Sequence, residues 1–292
     1  MRAAVIDLGA NTLRLFVADR RGRGLRILHE ARVRLALGEA IERTGSIPAA
    51  KLGELAAAVV RQVEAAQALG CDAVEILVTS PGRQAENGPA LRRALEHTGV
   101  GVRFLSGEEE ALLAYVGAVE AAGKLPESVV VCDVGGGSTQ VVVGTRAGGP
   151  AWFRSFDVGS LRLTSRMLPD DPPGRQALYE ARLEVERGLD GLHPPLAHAG
   201  LATGGSARGL RKLVGARLGP AELAEAVELI AETPSKELAE RFGLSSARAR
   251  TLAGGILILS ELRRRLGVDL DVARGGLREG ALRSLLAQSA AA

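Results

Sequence analysis

Near the start of the chain an apolar run ends in Asp7-Leu8-Gly9-Ala10-Asn11-Thr12, and about 125 residues later another ends in Asp133-Val134-Gly135-Gly136-Gly137-Ser138-Thr139. Each begins with a carboxylate at a strand end, turns through glycine and enters a second strand at a hydroxyl residue. Glycine lets backbone N–H groups approach a phosphate closely, and the hydroxyl adds a donor. The aspartate can hold a divalent cation, directly or through water. One such turn is ordinary hairpin chemistry. Two in corresponding places point to a duplicated unit, and this constrains the fold more than any other feature of the 292 residues.

The surrounding periodicity agrees. Strands are expected over 3–6, 12–18 and 25–35, the last two joined by the tip Arg20-Arg21-Gly22-Arg23-Gly24. Pro48 opens a helix that runs to about 69, followed by strand 74–78, helix 88–97, strand 102–105 and helix 108–121. After a boundary at 122–126 the meander returns as strands 129–132, 138–143 and 151–156. Beyond 160 helices dominate, with strands near 200–202 and 269–272. The pattern predicts an α/β fold with mixed sheets in two similar lobes, 1–124 and 125–292, around a central cleft. The last helix is free to pack back on the first lobe.

Composition narrows the function classes. With 46% hydrophobic and 24% charged residues the chain reads as a soluble globular protein, and a net charge of +3 is too slight to imply a nucleic-acid binder. Cys71 and Cys132 are isolated, and His29, His97, His193 and His198 are scattered. That pattern excludes a disulfide framework and a zinc motif, and argues against a histidine metal centre. No apolar run approaches the roughly 20 residues that cross a bilayer. Asp7 interrupts any signal-peptide core, so a cytoplasmic location with no membrane partner is expected. Only Lys51, Lys124, Lys212 and Lys236 of the 37 cations are lysine. Genome composition accounts for most of the arginine excess, although the guanidinium fork also suits phosphate.

Strand alternation puts Thr12 and Arg14 on one face, opposite Leu13 and Leu15. Arg14 then points into the cleft beside Asp7 and Asn11, the competing assignment being a solvated strand arginine. A third glycine turn, Ala202-Thr203-Gly204-Gly205-Ser206-Ala207, joins a strand to a helix whose N-terminus can accept an anion. Alone it is equally an ordinary connection.

In this order the three turns resemble those of the exopolyphosphatase and guanosine pentaphosphate phosphohydrolase family, within the actin-like, sugar kinase and heat-shock chaperone ATPase fold. The resemblance covers nearly the whole chain and implies ribonuclease-H-like lobes. Gly9, Asn11 and Thr12 are similar to the first phosphate loop, Gly135, Gly136, Gly137, Ser138 and Thr139 to the second, and Gly204, Gly205 and Ser206 fall in the third turn. Thr79-Ser80-Pro81-Gly82-Arg83 resembles the family segment that ends in arginine, and Ser106-Gly107-Glu108-Glu109-Glu110-Ala111 its Ser-Gly-x-Glu-Glu-Ala signature. Asp157-Val158-Gly159-Ser160-Leu161-Arg162-Leu163-Thr164 and Gly276-Leu277-Arg278-Glu279-Gly280 are similar to two further segments.

The resemblance implies Mg²⁺-dependent hydrolysis of the terminal phosphoanhydride of inorganic polyphosphate or a guanosine pentaphosphate. Glu110 matches the catalytic glutamate that activates water; Asp133, with Asp7, would hold the metal. Arg83 and Arg14 would neutralise the transferring phosphoryl group. Glu108 and Glu109 read as ordinary acids of a helix start. Members often dimerise, so a homodimer is the implied assembly.

Two departures stand out. Gln140 follows Gly137-Ser138-Thr139 where the family typically has glutamate, and Leu112 stands where many members have arginine. Glutamine keeps an acceptor oxygen but takes no proton at neutral pH, so it can orient water but cannot act as a base. A weakly catalytic or inactive sensor of polyphosphate or alarmone is therefore the alternative reading. Glu237-Leu238-Ala239-Glu240-Arg241-Phe242-Gly243-Leu244-Ser245-Ser246-Ala247-Arg248 resembles half of a helix-turn-helix. It continues into the apolar stretch at 253–259, which suits a lobe core, so no DNA partner is expected. Few aromatic side chains are available to stack a base, favouring polyphosphate mildly. The chain stops soon after Gly280, without the helical extension of longer members, so short polyphosphate is the expected substrate.

Overall fold

The computed structural model describes residues 1–22 and 24–288. Arg23, in the expected strand tip, lies outside the described residues. Strands β1 (Arg2–Leu8), β2 (Thr12–Arg21) and β3 (Gly24–Arg34) form an antiparallel meander. Helices α1 (Leu37–Thr44) and α2 (Ala49–Ala68) follow, then β4 (Ala73–Val78), α3 (Ser80–Gln84), α4 (Gly88–Glu96), β5 (Gly101–Phe104) and α5 (Gly107–Ala121). The second half repeats the scheme with β6 (Ser128–Val134), β7 (Thr139–Thr145), β8 (Gly149–Phe156), α6 (Ser160–Met167), α7 (Arg175–Gly188), β9 (Ala199–Thr203) and α8 (Gly204–Val214). It closes with β10 (Arg217–Leu218), α9 (Pro220–Glu232), α10 (Ser235–Phe242), α11 (Ser246–Arg250), α12 (Leu252–Leu266), β11 (Leu270–Val272) and α13 (Leu277–Gln288).

The sheets run β3-β2-β1-β4-β5 and β10-β11-β9-β6-β7-β8. β1 pairs antiparallel with β2 and parallel with β4, just as β6 pairs with β7 and β9. Register repeats as well: Asp7 lies opposite Arg14, and Asp133 opposite Gln140. The expected two-lobe α/β architecture with mixed sheets is present. Both central strands are buried on both faces, which explains why Ala3–Ile6 and Val129–Cys132 read as continuous apolar runs rather than alternating ones.

Short elements are what periodicity missed. α1, with Leu37, Ala40 and Ile41 buried, and the two-residue β10 are too short to carry a pattern. Helices below roughly 12 residues depend on tertiary packing rather than propensity.

The two outer helices exchange lobes. α5 follows the first sheet in sequence, yet Ala111, Tyr115, Ala118 and Val119 pack on Val129, Val131, Val142 and Leu201 of the second. α13 returns to the first sheet, where Ala281, Leu282 and Leu286 cover Ala3, Val5 and Phe16. α5 and α13 meet backbone to backbone. A Cβ on Gly117 would run into the Gly276 carbonyl oxygen and stand 2.7 Å from the Gly280 amide nitrogen. Among the described residues no helix is long and apolar enough to cross a membrane.

Gly117→Ala is therefore expected to destabilise the protein by roughly 1–3 kcal/mol through overpacking. Gly123→Ala, where a Cβ meets nothing within 4 Å, should stay within about 0.5 kcal/mol of the parent in urea unfolding.

Candidate active site

The two glycine turns close identically. The Gly9 amide donates to the Thr12 carbonyl at 3.1 Å, and the Gly135 amide to the Ser138 carbonyl at 3.0 Å. They face each other across a cavity of about 120 Å³ at the carboxyl ends of β1, β4, β6 and β9, where open α/β sheets place ligands. The first lobe contributes Asp7, Gly9, Asn11, Thr12 and Arg14; the second contributes Asp133, Gly135, Gly136, Ser138, Gly204 and Gly205. Gly204 has φ +89°, and a Cβ there would stand 2.5 Å from Asp133 Oδ1. Only glycine lets α8 start so close to that carboxylate.

Glu110 reaches the cavity from the first turn of α5. Ser106 Oγ accepts from the Glu109 amide at 3.1 Å, and Glu109 Oε2 accepts from the Ser106 amide at 2.9 Å. This capping box turns Glu109 outward and the next residue inward. Glu110 is 7% exposed. Its Oε2 accepts from Arg83 Nη2 at 2.7 Å and from Gln140 Nε2 at 3.4 Å, so Oε1 is the oxygen left without a protein donor among the described residues. Burial pushes its carboxyl up to about 7, opposed by the Arg83 charge and reinforced by Asp133.

The aspartates are shifted alike. Burial raises Asp133 to about 6 although the Arg208 charge opposes it, and raises Asp7 against the pull of Arg278 and Arg14. Three arginines that sequence reasoning left out of the site line the same cavity: Arg208 on α8, Arg248 on α11 and Arg278 on α13. Arg208 and Arg248 have no acidic side chain within ion-pair distance among the described residues. Poor hydration within the cleft and the neighbouring arginines push both down to about 10. Arg278 lies within the Gly276–Gly280 motif and Arg208 one helical turn beyond Gly204, so both had a signal. Arg248 had none, because its stretch read as a helix-turn-helix.

Other predicted residues stand behind the cavity wall. Arg83 bonds the Leu105 carbonyl at 2.9 Å and Ser138 Oγ at 3.2 Å in addition to Glu110, which makes it a support of the glutamate in this state. Thr139 Oγ1 donates to the Val158 carbonyl at 2.5 Å, and the Gly137 carbonyl accepts from Gln84. Ser206 is buried beneath Gly255. Gln140, 1% exposed, also donates to Ser138 Oγ at 3.0 Å and Ser155 Oγ at 3.2 Å.

Paired glycine loops, a buried carboxylate with raised pKa and a surplus of arginines are the equipment of a phosphohydrolase. The family model of the Ppx/GppA phosphatase family matches residues 16–289. The chain belongs to this family. Exopolyphosphatase 1 of Mycobacterium tuberculosis is 30% identical over 302 residues, spanning 96% of this chain and 87% of that one. Exopolyphosphatase 2 of the same organism is 29% identical, spanning 97% and 98%. The crystal structure of the Aquifex aeolicus Ppx/GppA family member superposes with TM-score 0.84 at 25% identity, covering 99% and 98% of the two chains.

A divalent cation suits the carboxylates of this Ppx/GppA member in one specific way. The described residues contain no group of three or more acidic, histidine or cysteine ligands. Among the described residues, Asp7 and Asp133 nevertheless face the cavity without an ion pair, and Asn11 Oδ1 is buried with no partner. That donor set fits Mg²⁺, which retains waters and takes its remaining oxygens from phosphate, rather than a closed protein cage.

The Glu110 geometry sets an expectation for pH. A carboxylate serving as general base must be ionised, so with Glu110 in that role kcat/KM in a pH profile should rise through about pH 7 and fall below it. Its folded pKa lies above the ordinary 4.5. The associated stability is therefore fully present below that value and lost as pH rises through about 7. Gln140→Glu would set a second carboxylate against Oε2, moving the acidic limb to higher pH and lowering turnover at neutrality.

Proposed function

We propose that the chain is a phosphohydrolase that removes the terminal phosphate of inorganic polyphosphate, with short chains preferred. The observation that carries this reading is Glu110: a carboxylate tied at one oxygen, open at the other, and poised near neutral pH on the wall of a phosphate-loop cavity. Names of relatives agree, two of them being exopolyphosphatases.

In this reading the terminal phosphate lies between the Gly9–Thr12 and Gly135–Ser138 turns, held by backbone amides and hydroxyls. Glu110 Oε1 takes the proton of the attacking water while Arg83 and Gln140 keep the side chain from rotating away. Arg208, Arg248 and Arg278 neutralise charge on the phosphoryl groups, with Arg14 alongside. Asp133 and Asp7 would hold Mg²⁺, which would supply neutralisation of phosphate charge. Among the described residues lining the cavity none is aromatic, which supports a bare phosphate chain over a nucleotide.

Phosphate release from tripolyphosphate, long-chain polyphosphate and pppGpp tests this directly. Release is expected with Mg²⁺, to be abolished by EDTA, and to fall by roughly 10²–10⁴-fold in Glu110→Gln. Tripolyphosphate should give the highest kcat/KM. Binding without release above the Glu110→Gln control would favour the sensor reading instead, and preference for long chains would overturn the short-chain assignment.

A further inference from the structure

One carboxylate at the cleft has no part in that scheme. Glu30 stands on β3 opposite Phe16 and one diagonal step from Arg14. Its Oε1 accepts from Arg14 Nη1 at 3.0 Å and from Arg278 Nη1 at 3.4 Å. The two arginine side chains, which line the cavity, are only 16% and 7% exposed, whereas that of Glu30, outside the lining, is 46% exposed. Arg278 is pinned further by the Phe16 ring, whose centroid lies 4.8 Å from its Cζ. Asp7 meets the same two charges from inside the cleft. Each guanidinium thus stands between a buried aspartate and a water-exposed glutamate.

The other cleft arginines differ. Among the described residues, Arg208 and Arg248 on the second lobe have no acidic side chain paired with them. Arg14 and Arg278 are already paired, and Glu30 is the more exposed partner in each pair.

We propose that Glu30 is an internal competitor of the substrate, holding Arg14 and Arg278 in the free protein and so setting its affinity for oligophosphate anions. The identity of the anion rests on the phosphohydrolase reading; the competition rests on the contacts alone. Two effects act in the same direction. The carboxylate fills donors that the phosphate needs, and its charge repels a polyanion approaching the rim. Glu30 touches no reacting group, so its influence falls on binding rather than on the chemical step.

The test uses full-length protein carrying Glu110→Gln, so that bound tripolyphosphate is not turned over, with and without Glu30→Gln. Calorimetry should give a Kd lower by roughly two- to fivefold in the double variant, the range expected of a partly exposed ion pair. The gain should shrink as salt rises. Glu30→Ala should move Kd in the same direction. In active protein, Glu30→Gln should lower KM by a similar factor with kcat within about twofold. Equal or weaker binding would overturn the proposal and make Glu30 a brace for the two arginines. Tighter binding with no phosphate release from any variant would leave the competition standing and remove the hydrolase reading. Failure of tripolyphosphate to bind either protein would overturn both.

Discussion

Asp7, Asp133 and Glu110 are acids placed where bulk water stabilises them poorly, and the arrangement of the cleft answers that cost. Ionised carboxylates at buried strand ends need positive charge nearby or a proton. The protein supplies both in part. Burial raises all three pKa values, and Arg83, Arg14, Arg208 and Arg278 oppose the rise from different directions. The compensation is long-range for the two aspartates and direct for Glu110 alone. A cleft left in this state has unmet capacity for a cation at its centre and for an anion around it. A metal–phosphate pair meets both at once.

Bringing those charges together requires elements from both ends of the chain, and the helix exchange provides them. α5 carries Glu110 but lies on the second sheet, and α13 carries Arg278 but lies on the first. Their crossing at Gly117, Gly276 and Gly280 has no room for a side chain, so Glu110 and Arg278, which both line the cavity, are held by a single close contact. Movement between the lobes would have to carry both. The same economy applies in the glycine turns, where the register that puts Arg14 beside Asp7 in one lobe puts Gln140 beside Asp133 in the other.

The duplicated Asp-Gly-hydroxyl turns revealed two lobes because the pattern is local: strand, turn and strand lie within about fifteen residues of one another. Glu110 was singled out only by its match to the family signature; the capping box of Ser106 and Glu109, which turns it inward, is a finding of the structure. Arg248 and Glu30 were not. Arg248 lies on a five-residue helix whose sequence suits a different motif, and Glu30 on an exposed strand where an acid is unremarkable. Arg83 was legible by its segment, but its present bond to Glu110 depends on how α3 turns after β4.

From sequence alone came the repeat, the mixed α/β class, the glycine turns and the acids at their ends, because hydrogen-bonded turns and strand periodicity are encoded by near neighbours. Only the tertiary structure decided which arginines face those acids, which oxygen of Glu110 stays free, and that Glu30 already occupies Arg14 and Arg278. Those outcomes depend on contacts spanning up to 248 residues, where local propensity carries no information and the packing of α5 against α13 sets the geometry.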